Sequence, residues 1–335
     1  MNKKYIKWLF YLLGFIALAI LAVLFGLWVG EFNISLANIF SLLSNKPESV
    51  EYTVISQIRL PRIILGMAIG GALSLAGVLL QGIYRNPLVE PYTLGISGGA
   101  ALGVSIVIVF GIHLKASFYL LPLAGFIGAM ATIVLVYILS IKKGRLKMQS
   151  MLLIGVMISF ISSSSMMFLM SISSSETTHS IVFWIMGSLD ESNKLLINTA
   201  IIVSVFGLLI SYLFVQPLNA LRLGEEKARH LGINTEWAIR LLFIISSLLT
   251  GVSVAIAGVI GFVGLVIPHI VRQLVGTDYR ILLISSFIVG GSFIVFSDAI
   301  ARTIIAPNEL PVGVITGIVG GILFIGVLSK TSFKR

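Results

Sequence analysis

Cysteine is absent from the 335 residues, which excludes disulfides, thiolate metal sites, iron–sulfur clusters and cysteine nucleophiles. Charge is scarce, since only 11% of the chain is Asp, Glu, Lys or Arg while 57% is apolar. Acidic residues are scarcer still, 13 against 23 basic ones, for a formal net charge of +10. No G-x-x-x-x-G-K-[ST] phosphate loop occurs, so the chain is not expected to hydrolyse ATP itself, and it has no H-E-x-x-H pair or calcium loop. The four histidines, His113, His179, His230 and His269, are scattered over different segments and point to no metal cluster. These absences leave little for an enzyme to work with.

What is there is hydrophobicity. A mean hydropathy of +1.07 belongs to an integral membrane protein, because apolar side chains on this scale need lipid as well as a protein core. The 33 glycines fit that setting, since small residues let membrane helices approach closely. Apolar runs fall near 7–30, 62–83, 93–112, 117–140, 149–171, 194–215, 236–260, 261–276, 281–303 and 311–329. A hydrocarbon core of about 30 Å needs roughly 20 helical residues, and of the ten runs only the eighth reads as short. The first run follows a basic start but exceeds an export core and has no small-x-small cleavage site, so it reads as a membrane helix.

With ten crossings and the N-terminus inside, 17 of the 23 basic residues fall on the cytoplasmic side. The exceptions are Lys46, Arg59, Arg62, Lys115, Lys194 and Arg302. This bias follows the positive-inside rule, places both termini in the cytoplasm and argues against nucleic acid as the partner of the net charge. The polar segments 31–61, 172–193 and 216–235 are too short for a separate soluble domain, so residues 1–335 form one membrane domain. "GALSLAG" at 71–77 and "GVSVAIAG" at 251–258 hint faintly at an inverted repeat in helices of opposite direction. The serine-rich "FISSSSMMFLMSISSS" at 160–175 reads as helix–helix hydrogen bonding at a span boundary.

Several polar residues stand out. Asp298 and Arg302 are four apart on one helical face and are placed to pair; internal neutralisation, docking of an external partner through Arg302 and proton coupling all remain open. Arg59 and Arg62, in "RLPR", stand before the second span, where interfacial snorkelling and attraction of an acidic partner to exposed arginines are both open. In the cytoplasmic segment 221–237, "EEKARHLG" reads as a short helix closed by Gly232. Such a helix serves equally as a solvated loop or as a solid knob for a cytoplasmic motor. In "GLVIPHIV", 264–271, Pro268 is expected to kink or break a buried helix, with His269 and Arg272 approaching the cytoplasmic end.

The stretch "RLPRIILGMAIGGALSLAGVLLQGIYRNPLVEPYTLGISGGA" at 59–100, followed by "LGEEKARHLG", "GVIGFVGLVIPHIVRQLVG", "SDAIAR" and "ELPVGVITGIVGGILFIGVL", resembles the FecCD/BtuC-like permease subunits of binding-protein-dependent ABC importers for iron-siderophores, haem and cobalamin. The resemblance spans essentially the whole chain. It implies an all-α polytopic permease of about ten helices, the type II ABC importer fold, in a bacterial cytoplasmic membrane. It further implies pairing with an identical or homologous permease, two cytoplasmic ATPase subunits that bind the ATP and Mg, and an extracytoplasmic binding protein that delivers the substrate. Ferric siderophore import is the leading expectation, haem or cobalamin the near alternatives, and an ion-coupled secondary transporter a more distant one. By the same resemblance Gly224, Glu225, Glu226, Lys227, Arg229 and Gly232 belong to the ATPase-coupling region. Arg59, Arg62 and Arg302 are implied to meet acidic residues of the binding protein. Arg85, Asn86, Pro87, Pro268 and His269 are read as structural or gating elements near the cytoplasmic mouth. The chain is expected to bind no cofactor or metal of its own.

Overall fold

The computed structural model describes residues 3–30, 32, 34–35, 41–42, 49–112, 119–142, 145–191 and 193–332. Lys46, His113, Lys115, Lys143, Lys334 and Arg335, counted above, lie outside the described residues. Among the described residues the architecture is all-helical apart from an antiparallel pair of two-residue strands, Ile141–Lys142 with Arg145–Leu146. Its helices are α1 (Lys3–Trp28), α2 (Val50–Tyr84), α3 (Ile96–Val109), α4 (Leu120–Ser140), α5 (Met148–Ser171), α6 (Ser175–Met186), α7 (Lys194–Leu213), α8 (Val215–Leu221), α9 (Glu225–His230), α10 (Thr235–Ala257), α11 (Val263–Val275), α12 (Tyr279–Ala301) and α13 (Val312–Ser332). Seven of these are long and apolar enough to cross a membrane, and the shorter apolar α3, α11 and α13 complete a set of ten.

Three expectations need correction. The second helix starts at Val50, about three turns before the apolar run, because Ser49 Oγ caps it by accepting from the Tyr52 amide and a π-helical turn, Val54–Arg59, carries it into the bundle. Segment 172–193 is not plain loop: Ser174 caps α6, whose Ile181 is buried. The third run is shortened to 14 helical residues because Pro91–Leu94 forms a separate 3-10 turn that ends at Gly95.

α2 is the axis of the fold and is buried along nearly its whole apolar length. Its glycines make this possible: a methyl group at Gly70 would overlap the backbone of Gly290 in α12, and one at Gly77 the backbone of Gly264 in α11. Contacts along α2 fix direction. α12 starts beside Gly82 through Tyr279 and reaches Gly66 with Ile294 and Val295, so it runs antiparallel to α2. α1 does the same, from Lys4, paired with Asp278 at 3.0 Å, to Gly26, which packs on Ile63. α10 also opposes α2, starting beside α9, where Arg229 Nε donates to Thr235 Oγ1 at 3.0 Å. The two glycine-rich segments, 71–77 and 251–258, therefore lie on helices of opposite direction. α13 begins against Met186 and Val259 and brings Phe324 to His269, so its C-terminal end and the start of α1 face the same side of the bundle.

The serines of "FISSSSMMFLMSISSS" and its neighbours do not bridge helices where their bonds are seen. Ser159, Ser171 and Ser173 each donate back to a carbonyl three or four residues earlier, and this satisfies the hydroxyl within its own turn.

The close approach of α2 and α11 leaves no room for a side chain at Gly77. Gly77→Leu is expected to destabilise the protein by at least about 1–3 kcal/mol, read as a lower thermal midpoint in detergent. Gly14→Ala, with no atom within 4 Å of the added methyl, should leave the midpoint unchanged or raise it slightly, because alanine favours a helix interior.

Candidate functional site: a coupling face, a mid-bundle junction and an arginine cluster

At one end of the bundle, α7 stops at Phe214 and the chain turns through α8 to Gly224, whose φ of +111° suits glycine. α9 follows and buries only Ala228. Its end is sealed by paired turns: the Gly232 amide donates to Arg229 O at 2.9 Å and the Ile233 amide to Ala228 O at 3.1 Å, with Gly232 at φ +81°. Glu225 accepts from Arg229 Nη2 at 2.6 Å one turn on, so two of the named residues brace each other. The result is a short rigid knob. Leu223, Leu231 and Trp237 stand exposed around it, which charge-based reading of the sequence missed. A cleft of about 500 Å³ runs beside it between Leu146, Met148, Glu225, Glu226, Arg229 and Glu236.

The loop after α2 abuts this knob. Arg85 ends α2 in the left-handed region at φ +51°, and a methyl on Gly224 would stand 3.6 Å from its Nη1. Asn86 Oδ1 accepts from the Leu88 amide at 3.0 Å, which builds the turn through Pro87. The structure thus brings the Arg85–Pro87 turn next to Gly224, at the start of α9. At the same end, Asp278 is held below the usual carboxylate range: burial works to raise it, but hydrogen bonds from the Arg280 amide, Lys4 and Asn219 outweigh burial.

Halfway along α2 the chain returns to form a junction. Pro91 packs on Gly264, and Tyr92 Oη donates to Ile260 O at 3.1 Å. Glu90 lies here, and its Oε1 accepts from the amide of Phe262, the residue that starts α11, at 2.9 Å. A carboxylate at that position complements the helix dipole. From this junction α3 runs toward the start of α4, with Gly103 against Ala124, while α11 runs toward Arg85. Two half-length helices therefore start at one place and diverge.

Pro268 does not break its helix. It has no N–H for the carbonyl of Gly264 four residues back, and that carbonyl accepts instead from Gln81 Nε2 at 3.2 Å, which also reaches Leu265 O at 3.3 Å. The compensation lets α11 pass unbroken from Val263 to Val275. His269, one residue on, sits edge-on to Phe324 and 3.3 Å from Gln273 Nε2. Among the described residues no three His, Asp or Glu side chains gather in a metal-holding group.

The opposite end holds the three outer arginines, and they are not exposed as the sequence suggested. Arg59 is 2% exposed, Arg62 5% and Arg302 6%. Arg59 clasps the end of α1, donating to Leu27 O at 2.5 Å, Trp28 O at 3.1 Å and Phe32 O at 2.6 Å. Snorkelling does not describe it, because its guanidinium faces backbone rather than water. Arg302 pairs with Asp298 at 3.0 Å and donates to Gly26 O at 3.2 Å, so the expected pairing forms. Arg62 alone has exposed partners: Asp190, 3.0 Å away with its side chain 66% exposed, and Glu309, 2.8 Å away and 49% exposed.

The seal of α9 gives a test. Gly232→Ala forces a side chain into the left-handed region at roughly 1–2 kcal/mol. Amide hydrogen exchange over residues 225–233 should quicken, while exchange in the middle of α10 stays as it was.

Residues 18–330 match the FecCD transport family. The chain is 33% identical to the hemin transport system permease protein HmuU of Yersinia pestis, over 97% of each chain. It is 35% identical to the Fe(3+)-citrate import system permease protein YfmD of Bacillus subtilis, over 93% of each. A solved inward-facing structure of an ABC transporter of the metal-chelate type superimposes with a TM-score of 0.84 at 33% identity, over 96% of this chain and 99% of that one. A match over nearly the full length, in a chain whose α9 knob, junction and arginine cluster all fall within it, makes this protein a member of the FecCD transport family.

Proposed function

We propose that this chain is the membrane permease subunit of an ATP-driven importer that carries ferric siderophores. The observation that carries the reading is the rigid α9 knob, fixed between Gly224 and Gly232 and ringed by exposed Leu223, Leu231 and Trp237, at the end where the basic residues collect. A separate ATPase would grip this knob and bind the ATP and Mg, and Glu225, Glu226, Lys227 and Arg229 would be the contacts. By the positive-inside rule that end is cytoplasmic, which puts both termini inside a bacterial cytoplasmic membrane. A second permease copy or homologue would complete the route. The name of the Fe(3+)-citrate relative supports an iron chelate, and the hemin relative favours haem as the second reading. An ion-coupled carrier is poorly supported, because Asp298 is already committed to Arg302.

The direct experiment is uptake into liposomes holding the permease, the ATPase and the binding protein, offered ferric siderophore, haem and cobalamin in turn. ATP-dependent accumulation of the ferric siderophore alone is expected. Uptake that follows a proton gradient without the ATPase would reject the mechanism.

The arginine cluster is proposed to meet acidic residues of the binding protein, with distinct contributions from its members. Arg62 would take the contact by exchanging its exposed partners Asp190 and Glu309 for carboxylates of the binding protein, whereas Arg59 holds α1. Arg62→Ala should therefore weaken docking of the binding protein with little loss of thermal stability. Arg59→Ala leaves three carbonyls without their donor and should cost at least about 2 kcal/mol of stability. Equal behaviour of the two variants in docking and melting would remove the distinction.

A further inference from the structure

At the end of the bundle that carries α9, a second cleft of about 420 Å³ opens between the ends of α2 and α11 and the start of α12. Three guanidinium groups line it, those of Arg85, Arg222 and Arg272, and no Asp or Glu is among its lining residues. Arg222 donates to the backbone carbonyl of Thr277 at 2.8 Å. None of the three arginines forms an ion pair among the described residues. The carboxylate in the adjoining connection, Asp278, is already engaged by Lys4 Nζ at 3.0 Å, Asn219 Nδ2 at 3.3 Å and the Arg280 amide at 3.1 Å. Like charges gathered in a concave surface without counter-charge raise a local potential that an anion relieves.

The depth of this cleft follows from α1. Its first turns carry Tyr5, Trp8 and Tyr11 with Lys4 over the Trp8 ring at 4.5 Å and Lys7 over the Tyr11 ring at 5.7 Å. Aromatic rings interleaved with lysines at a helix end mark the headgroup level of a bilayer. Lys4 is bonded to Asp278, and the neighbours of Asp278, Thr277 and Tyr279, line the cleft. The three arginines therefore stand at headgroup depth.

We propose that this cleft binds a phosphoryl oxyanion, the phosphate of an anionic phospholipid headgroup. Guanidinium forks match phosphate oxygens in pairs, and the volume lies within the range of about 300–1,000 Å³ common to small-ligand sites. Free phosphate offers the same chemistry, so the test separates the two sources. The full chain in detergent is titrated with phosphatidylglycerol, phosphatidylcholine and inorganic phosphate, and bound species are counted by native mass spectrometry. Phosphatidylglycerol should be retained at least tenfold more strongly than phosphatidylcholine. Arg222→Gln with Arg272→Gln should remove that preference, the paired lysine variants should keep part of it, and the exposed Arg222→Gln alone should weaken it severalfold without risk to the core. Arg280→Gln, outside the cleft, should bind as the parent does. Unchanged phosphatidylglycerol retention in the double glutamine variant overturns the proposal. Retention of inorganic phosphate that the double variant loses, with both lipids bound equally, overturns the lipid source. Loss of ATPase association with lipid retention unchanged assigns the cleft to an acidic protein partner and overturns it as well.

Discussion

Pro268 has no amide proton, and the Gly264 carbonyl that it leaves unpaired dictates where Gln81 must sit. In a chain surrounded by lipid, water cannot supply the missing donor, so another helix has to. Gln81 reaches that carbonyl only if α2 and α11 lie close together, and they do so because residue 77 is glycine and its α-carbon rests against the Gly264 backbone. One missing hydrogen thereby sets the spacing of two helices. The position of α11 in turn puts Phe262 where Glu90 accepts its amide, and Ile260 where Tyr92 bonds both its amide and its carbonyl. The irregular backbone between α10 and α11, which includes Phe262 at φ +68°, is satisfied by side chains of the segment that leads into α3.

The arginine cluster obeys the same rule with charge in place of backbone. Burying a guanidinium without partners is costly, and each of the three has found them by a different route. Arg59 uses the free carbonyls at the end of α1, Arg302 uses a carboxylate one turn away, and Arg62 uses two carboxylates from distant connections. The cluster closes the ends of α1, α2 and α12 into one unit. Only the Arg62 pairs reach the surface, so the charge seen from outside at this point is that of Asp190 and Glu309, and the cation lies behind them.

This contrast explains what the sequence made legible. The ten apolar runs each hold a helix because lipid-facing hydrophobicity is written locally, and the α9 knob could be read because Gly224 and Gly232 bound it within nine residues. The start of α2 was hidden, since Glu51, Tyr52 and Gln57 interrupt the apolar pattern that identifies a span. α6 was hidden because its 12 residues are half polar and end well short of a crossing. The burial of Arg62 could not be read at all: its partner Glu309 is 247 residues away, and nothing near "RLPR" announces it. The partner of Pro268 was equally remote, 183 residues back along the chain from Gly264, so the proline looked like a break when it is the reason for a contact.

The two ends of the molecule are thus built differently, and the difference bears on how force would pass. At the arginine end, α2 and α12 are tied to α1 by hydrogen bonds from Arg59 and Arg302 to its end carbonyls, which favour a fixed geometry. At the other end, the knob touches the body through Ala228, the Arg229–Thr235 bond and the approach of Gly224 to Arg85. A path from α9 would run from Gly224, beside the Arg85 side chain, to the end of α2, and from Gln81 to the first turn of α11. That turn shares its junction with the start of α3, so the path ends where two half-length helices diverge. The stiffness of such a path comes from helices packed on glycine with no side chains between them to yield. The knob is not carried on a loose loop: it is sealed at Gly232 and braced one turn on by the Glu225–Arg229 pair.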